Sequence, residues 1–371
     1  MSLDNDPLDL KLNMTDKRMK LMNDSFSLSK LADPAEFHSE LDLAGTSTEC
    51  LRSYMSSMIR IRLAERRLAA GRRDGLIGGP VHLGVGQEGV AVGVSTHLRA
   101  SDRVFGAHRS HSHLLALGSS VEGLFAEVLG RDTGHSKGMG GSMHLWDQPK
   151  GFYGSVPIVA GTVPLAVGAG LAAKLQQSGD VAVAYLGDGA VEEGVVHESL
   201  NLARIQNIPV VFVVENNLFA SHMHISIRQP NDSTARFAYA NDVPYRVVDG
   251  NDVVAMASAA GEFIAAARSG KGPGFIEAVT FRWYGHVDWR EDIDVGIHRS
   301  VDELHNWRQR DPIRRLKEAM LNAGVWTEQD NEALELTLHQ EVDAAWVQAM
   351  QAPYPASAAL LDRVYFQGAQ T

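Results

Sequence analysis

A single cysteine, Cys50, occurs among 371 residues, so no disulfide can close within the chain. A reducing compartment is therefore the expectation. Long uncharged apolar runs are missing too. The longest, residues 158–173, is interrupted by glycines and a proline and is too short to span a bilayer comfortably, so it predicts a buried helix. Positive charge is in deficit, with 34 Lys and Arg against 45 Asp and Glu, a formal net charge of −11. That balance argues against nucleic acid or an anionic membrane as the main partner. The opening segment, "MSLDNDPLDLKLNMTDKRMK", lacks an apolar core and carries acidic residues throughout. It reads as neither a secretory signal nor a transit peptide, and the expected location is cytoplasmic. Internal repeats and low-complexity tracts are absent.

What remains is ordinary soluble composition, 44% hydrophobic and 21% charged. Residues 1–45 are weakly periodic and predict an arm that docks late or stays mobile. Residues 46–371 predict one domain ending in a helical extension. Apolar spacing predicts helices over 48–72, 114–129, 161–176, 192–206 and 252–269, with a further helix near Glu88. Strands are predicted at 181–186 and 209–215, around Val247 and Val248, and over "GFIEAVTFRW". Polar-faced helices fill most of 300–350. Residues 130–154 are glycine-rich and too long for a simple connector. Strands alternating with helices predict an α/β fold, a mostly parallel sheet covered by helices on both faces.

One stretch carries chemistry: "AYLGDGAVEEGVVHESLNLARIQNIPVVFVVENN", residues 184–217. A buried strand ends in Gly187-Asp188-Gly189, a helix crosses over, and a second buried strand ends in Asn216-Asn217. A strand–helix–strand crossover delivers both strands in one direction, so Asp188 and Asn217 leave the same sheet edge. Neighbouring strands lie roughly 5–10 Å apart, within joint reach of one small cation. A carboxylate and a carboxamide oxygen are hard donors suited to Mg²⁺, which usually keeps phosphate oxygens as further ligands. The glycines admit close backbone approach, and the following helix start offers N–H groups to an anion. Gly-Asp-Gly alone would more often be a capped turn; the mirrored Asn217 shifts the balance to a metal-held diphosphate. "GAGLAA", residues 168–173, fits a dinucleotide fingerprint, but that pattern needs a preceding strand, and here a helix already runs through it.

These residues resemble the thiamine diphosphate motif, and the chain resembles the alpha subunit of the E1 component of 2-oxo acid dehydrogenase complexes. "VHLGVGQEG" (81–89), "GRDTGHSKGMGGSMHLW" (130–146), "FYGSVPIVAGTVPLAVGAGLAAK" (152–174), "FRWYGH" (281–286) and "RDPIRRL" (310–316) carry the likeness across roughly residues 50–350. The resemblance implies thiamine diphosphate and Mg²⁺ as cofactors. It implies Asp188 and Asn217 as metal ligands, with Phe219 adding a backbone oxygen. Gly187, Gly189 and Ala190 would lie against the diphosphate, and His108, Arg109 and His286 near its phosphates. Ile158 and Val159 would line the aminopyrimidine. His82 and His286 would be the catalytic histidines, although any one of fifteen histidines is by itself more often packed or solvated. The glutamate that the pyrimidine needs would come from a beta subunit in an α2β2 assembly. Glu192, Glu193 and Glu198 read as solvent-facing or interface groups on the helix after the turn.

The sequence departs from the family pattern in three places. His108 stands where the family has a tyrosine. "VDWREDIDVGIHR" follows His286 without the usual serine and Asp-Pro. The loop "LFASHMHISIRQPNDSTARFA" is rich in histidine. The acyl acceptor is therefore open between a lipoyl-bearing acyltransferase and a sugar, an aldehyde or a carrier-bound acyl group. A non-catalytic scaffold is the remaining alternative, and the presence of Asp188, Asn217 and Arg109 argues against it.

Overall fold

The computed structural model describes residues 26–291 and 293–362. Its strands are β1 (Arg103–Gly106), β2 (Phe152–Ser155), β3 (Ala182–Gly187), β4 (Val210–Asn216), β5 (Phe219–Ala220), β6 (Met223–His224), β7 (Tyr245–Asp249), β8 (Gly274–Val279), β9 (Ile293–Asp294) and β10 (Ile297–His298). Six of them form one parallel sheet in the order β2-β1-β3-β4-β8-β7. β5 with β6 and β9 with β10 are small antiparallel hairpins.

The sheet is buried on both faces because successive side chains alternate. Val183, Tyr185, Val211, Val213 and Ile276 pack toward the helices Thr48–Arg73, Glu88–Ser95 and Val253–Arg268. Ala182, Ala184, Leu186, Val210, Phe212 and Val214 pack toward Val163–Gln176 and Gly194–Ile205. β3 and β4 pair directly, from Ala182 against Val210 to Gly187 against Glu215. Ser47 caps the 26-residue helix Thr48–Arg73 by accepting the N–H of Cys50. "GAGLAA" lies wholly inside Val163–Gln176, so no strand precedes it.

Two expectations need correction. The predicted helix 114–129 is two helices, His111–Ala116 and Val121–Val128. Gly118 turns left-handed between them (φ +87°), and Ser120 caps the second by accepting the Gly123 N–H. The apolar period runs through the break, which is why it read as continuous. The helix Val163–Gln176 is not buried throughout: Leu165 is 57% and Leu175 76% exposed. An all-apolar helix signals covering, and among the described residues only one side is covered.

The described part of the arm is docked. Leu28 and Leu41 are buried, Arg310 and Arg315 donate to the carbonyls of Leu31 and Ser39, and Leu28 donates to Asp232. Residues 1–25 and 363–371 lie outside the described residues. Among the described residues no helix is long and apolar enough to cross a membrane.

Candidate active site

Parallel sheets bind ligands beyond the carboxyl ends of their strands. Asp188 follows β3, Asn217 follows β4, His108 and Arg109 follow β1, Ile158 and Val159 follow β2, and His286 lies beyond β8. The sheet order makes these five strand ends contiguous. Gly187, Gly189, Ala190, Phe219 and His82 join them, so that every residue expected to bind cofactor or metal or to act in catalysis lines one cavity of about 430 Å³.

The two strand-end asparagines have divided roles. Asn216 is fully buried; its Nδ2 donates to Glu277 Oε1 (2.7 Å) and to the Asp232 carbonyl (3.0 Å). Glu277 also accepts from Ser233, Thr234 and Ala235. Asn216 therefore ties the loop to the sheet. Asn217 faces the cavity, with Nδ2 donating to Gln87 Oε1 at 3.3 Å and Oδ1 accepting from the Phe219 N–H at 3.2 Å. A carboxamide oxygen has two lone pairs, so Oδ1 retains one for a cation.

Asp188 is 1% exposed. Burial raises its pKa, and the neighbouring Arg228 opposes the rise. Arg228 forks between Asp188 and Glu192. Glu192 thus lines the cavity and is also solvent-exposed, as expected. It closes a 3₁₀ turn, and Glu193 immediately precedes the α-helix, so neither lies on that helix as expected. A Cβ at Gly187 would meet nothing within 4 Å, whereas one at Gly189 would come within 2.6 Å of Ala220 Cβ. Close chain packing, not ligand approach, already requires the glycine at 189.

Arg109 is buried, donates to the Leu83 and His286 carbonyls (2.6 and 3.1 Å) and contacts His286 Nδ1 at 3.4 Å. Burial and then Arg282 lower its pKa to about 9, so it stays cationic at neutral pH, and among the described residues no carboxylate is bonded to it. Burial, then Arg109, pushes His82 and His286 down to about 2 and His108 to about 3. All three imidazoles are neutral at physiological pH.

Several supporting residues escaped the sequence reading. His82 is positioned through Ser142, whose hydroxyl accepts its N–H (3.4 Å) and bonds His111, which in turn meets Glu65 (3.2 Å). His113 stacks on Tyr185 with centroids 3.7 Å apart and bonds Glu215. Asp294 accepts the His286 N–H at 2.7 Å and pairs with buried Arg282, so the divergent stretch after His286 holds that histidine in place. Glu127, fully buried, organises the glycine-rich segment. Its carboxylate accepts backbone N–H groups from Ser136, Gly138, Gly140 and Gly141 at 2.6–3.2 Å. A Cβ at Gly134 would lie 2.4 Å from that carboxylate. No local sequence signal marks these residues, because their partners are distant or are backbone groups.

The model of the dehydrogenase E1 component family matches residues 55–358. The chain belongs to that family. It is 38% identical over 324 residues to the alpha subunit of an acetoin:2,6-dichlorophenolindophenol oxidoreductase of Bacillus subtilis, covering 87% of this chain and 95% of that one. It is 38% identical over 297 residues to the pyruvate dehydrogenase E1 component subunit alpha of Rhizobium meliloti, with 80% and 82% covered. An acetoin oxidoreductase alpha subunit of Cupriavidus necator is 36% identical over 318 residues, 85% of this chain and 94% of that one. This E1 chain is accordingly an alpha-type subunit of the thiamine diphosphate-dependent 2-oxo acid dehydrogenases.

Proposed function

We propose that the cavity holds thiamine diphosphate with Mg²⁺, and that the chain, paired with a beta subunit, decarboxylates a 2-oxo acid and passes on the acyl unit. The observation that carries this reading is the convergence of Asp188 and Asn217 at one sheet edge, in the same cavity as Arg109. The residues fit the group: two hard oxygen donors for the metal, and a buried guanidinium with no acid bonded to it for the diphosphate. Phe219 would add its backbone oxygen to the metal set, and Gly187, Gly189 and Ala190 would lie against the diphosphate. Ile158 and Val159 take the pyrimidine side. When bound, the cofactor supplies the carbon nucleophile that lets carbon dioxide leave a 2-oxo acid. His286, accepting from Arg109 at Nδ1, carries its proton on Nε2 and donates from there. His82 Nδ1 is buried and without a partner, and a neutral imidazole there takes or gives a proton beside the substrate.

Glu192 is held by Arg228 and Glu215 by His113, and Glu193 stands on the exposed rim. None of these replaces the pyrimidine-side glutamate, which, as the resemblance implies, a beta subunit would supply in an α2β2 assembly. Exposed Ile158 (72%) and Val159 (51%) on the cavity wall, with Leu165 just beyond, fit coverage by that partner. The single cysteine supports a cytoplasmic location for the assembly.

The alpha–beta pair, given Mg²⁺ and cofactor, should reduce ferricyanide with pyruvate, branched 2-oxo acids or acetoin, while either chain alone should not. Turnover by the alpha chain alone, or no cofactor binding by the pair, would refute the reading. The divergent hairpin β9–β10 after His286 favours one variation, an acceptor other than a lipoyl domain. Ferricyanide reduction without lipoyl acylation selects it.

Arg228 has to release Asp188 before a metal can bind. Arg228→Ala is expected to tighten Mg²⁺ binding by the free chain about tenfold, or ~1.4 kcal/mol. Calorimetry without cofactor reads this, and an unchanged affinity would remove Arg228 from the site.

A further inference from the structure

We propose that His82, His108 and His286 form a three-imidazole site for Zn²⁺, separate from the oxygen donors of Asp188 and Asn217, and that filling it inhibits the enzyme. One ring nitrogen from each histidine lies within 4.8 Å of the other two. The rings meet edge-on or tilted, at 76°, 82° and 56° with centroids 4.8, 5.1 and 5.3 Å apart. Face-to-face stacking would hold the nitrogens apart; these orientations let them converge. A tetrahedral zinc with Zn–N near 2.0–2.1 Å spaces its ligands roughly 3.3 Å apart. Closing the remaining gap of about 1.5 Å is a matter of side-chain rotation.

A second observation points to a ligand. His82 is 6% exposed, and its Nδ1 is buried without a hydrogen-bond partner. Such an atom is costly unless something binds it. Three imidazoles without a carboxylate suit zinc and are poor ligands for Mg²⁺. Arg109 does not close the site. If His286 turns Nδ1 away from the 3.4 Å contact, the same guanidinium nitrogen keeps the His286 carbonyl at 3.1 Å. Glu65, Glu215 and Asp294 oppose part of the positive charge of Arg109, to which Arg282 adds.

The inhibition rests on the function proposed above: a metal-bound imidazole has no lone pair left to take a proton, which disables His82, and the ring turn that brings His286 Nδ1 to the metal carries its Nε2 donor out of place. The test uses the full-length chain, alone and with its beta subunit, titrated with Zn²⁺ by calorimetry and with Co²⁺ by visible absorption. One Zn²⁺ per chain and a tetrahedral Co²⁺ spectrum are expected. His108→Tyr and His286→Gln should each weaken zinc binding by about tenfold or more, and Zn²⁺ should inhibit the wild-type pair. Asp188→Asn should leave zinc affinity unchanged while removing Mg²⁺-dependent cofactor binding. Absence of stoichiometric zinc binding, or binding indifferent to both histidine changes, overturns the site. Zinc binding without inhibition overturns its proposed effect. If Asp188→Asn keeps its cofactor, the magnesium assignment fails and the zinc site stands.

Discussion

Asp188→Ala is expected to abolish Mg²⁺-dependent binding of thiamine diphosphate while the chain stays folded. The carboxylate is the sole anionic member of the proposed metal set, since Asn217 and the Phe219 carbonyl are neutral. Mg²⁺ gives up its waters reluctantly and needs that charge. A loss of about 100-fold or more in cofactor affinity, ~2.7 kcal/mol, is expected by calorimetry on the alpha–beta pair. Stability should change far less. Burying the Asp188 carboxylate is itself unfavourable, as its raised pKa indicates, and Arg228 keeps Glu192 and the Met223 carbonyl as partners. Circular dichroism should be unchanged, with unfolding free energy lowered by no more than about 2 kcal/mol. Normal cofactor binding by this variant would end the metal assignment.

Glu127→Ala should be the most destabilising single change away from the cavity. Four backbone N–H groups converge on this one side chain. Removing the acceptor strands them on a segment with no regular secondary structure to take them up. Allowing for water to replace part of the loss, about 3 kcal/mol or more is expected in urea unfolding. Glu127→Gln separates shape from charge. It is nearly isosteric, yet its amide would present donors to two of the same N–H groups, so it should be almost as damaging. The segment 130–146 should also become sensitive to protease. Because Ser142 joins that segment to His82, weaker cofactor binding should accompany the loss. If Gln proves harmless, the carboxylate does not organise the loop.

How legible all this was follows from where each signal is stored. Asp188 and Asn217 were readable because strands buried on both faces appear as unbroken apolar runs, and their ends mark the ligand edge of a parallel sheet. Arg228 was not readable. It lies on an aperiodic loop, and its meeting with Asp188 is fixed by loop shape. Glu127 and Glu277 read as ordinary charges in a helix and a strand, because their partners are backbone atoms distant in sequence. The helix break after Ala116 had a local cue, Gly118 followed by Ser119 and Ser120, which the continuous apolar period masked. The exposed side of Val163–Gln176 could not be seen, since an apolar residue facing a core and one facing a partner are written alike.

The carboxylate of Glu277 has a consequence for the loop that carries Arg228. It holds Asn216 on one side and the N–H groups of Thr234 and Ala235 on the other. Residues 218–231 are thus a span fastened at both ends to a single rigid post. The entropy of bringing those ends together is spent during folding, not on ligand arrival. Between those footings Ile225 is buried and the Ser221 carbonyl accepts from Arg282, so the exchange of guanidinium for metal needs a swing of the Arg228 side chain alone, with a small ordering cost.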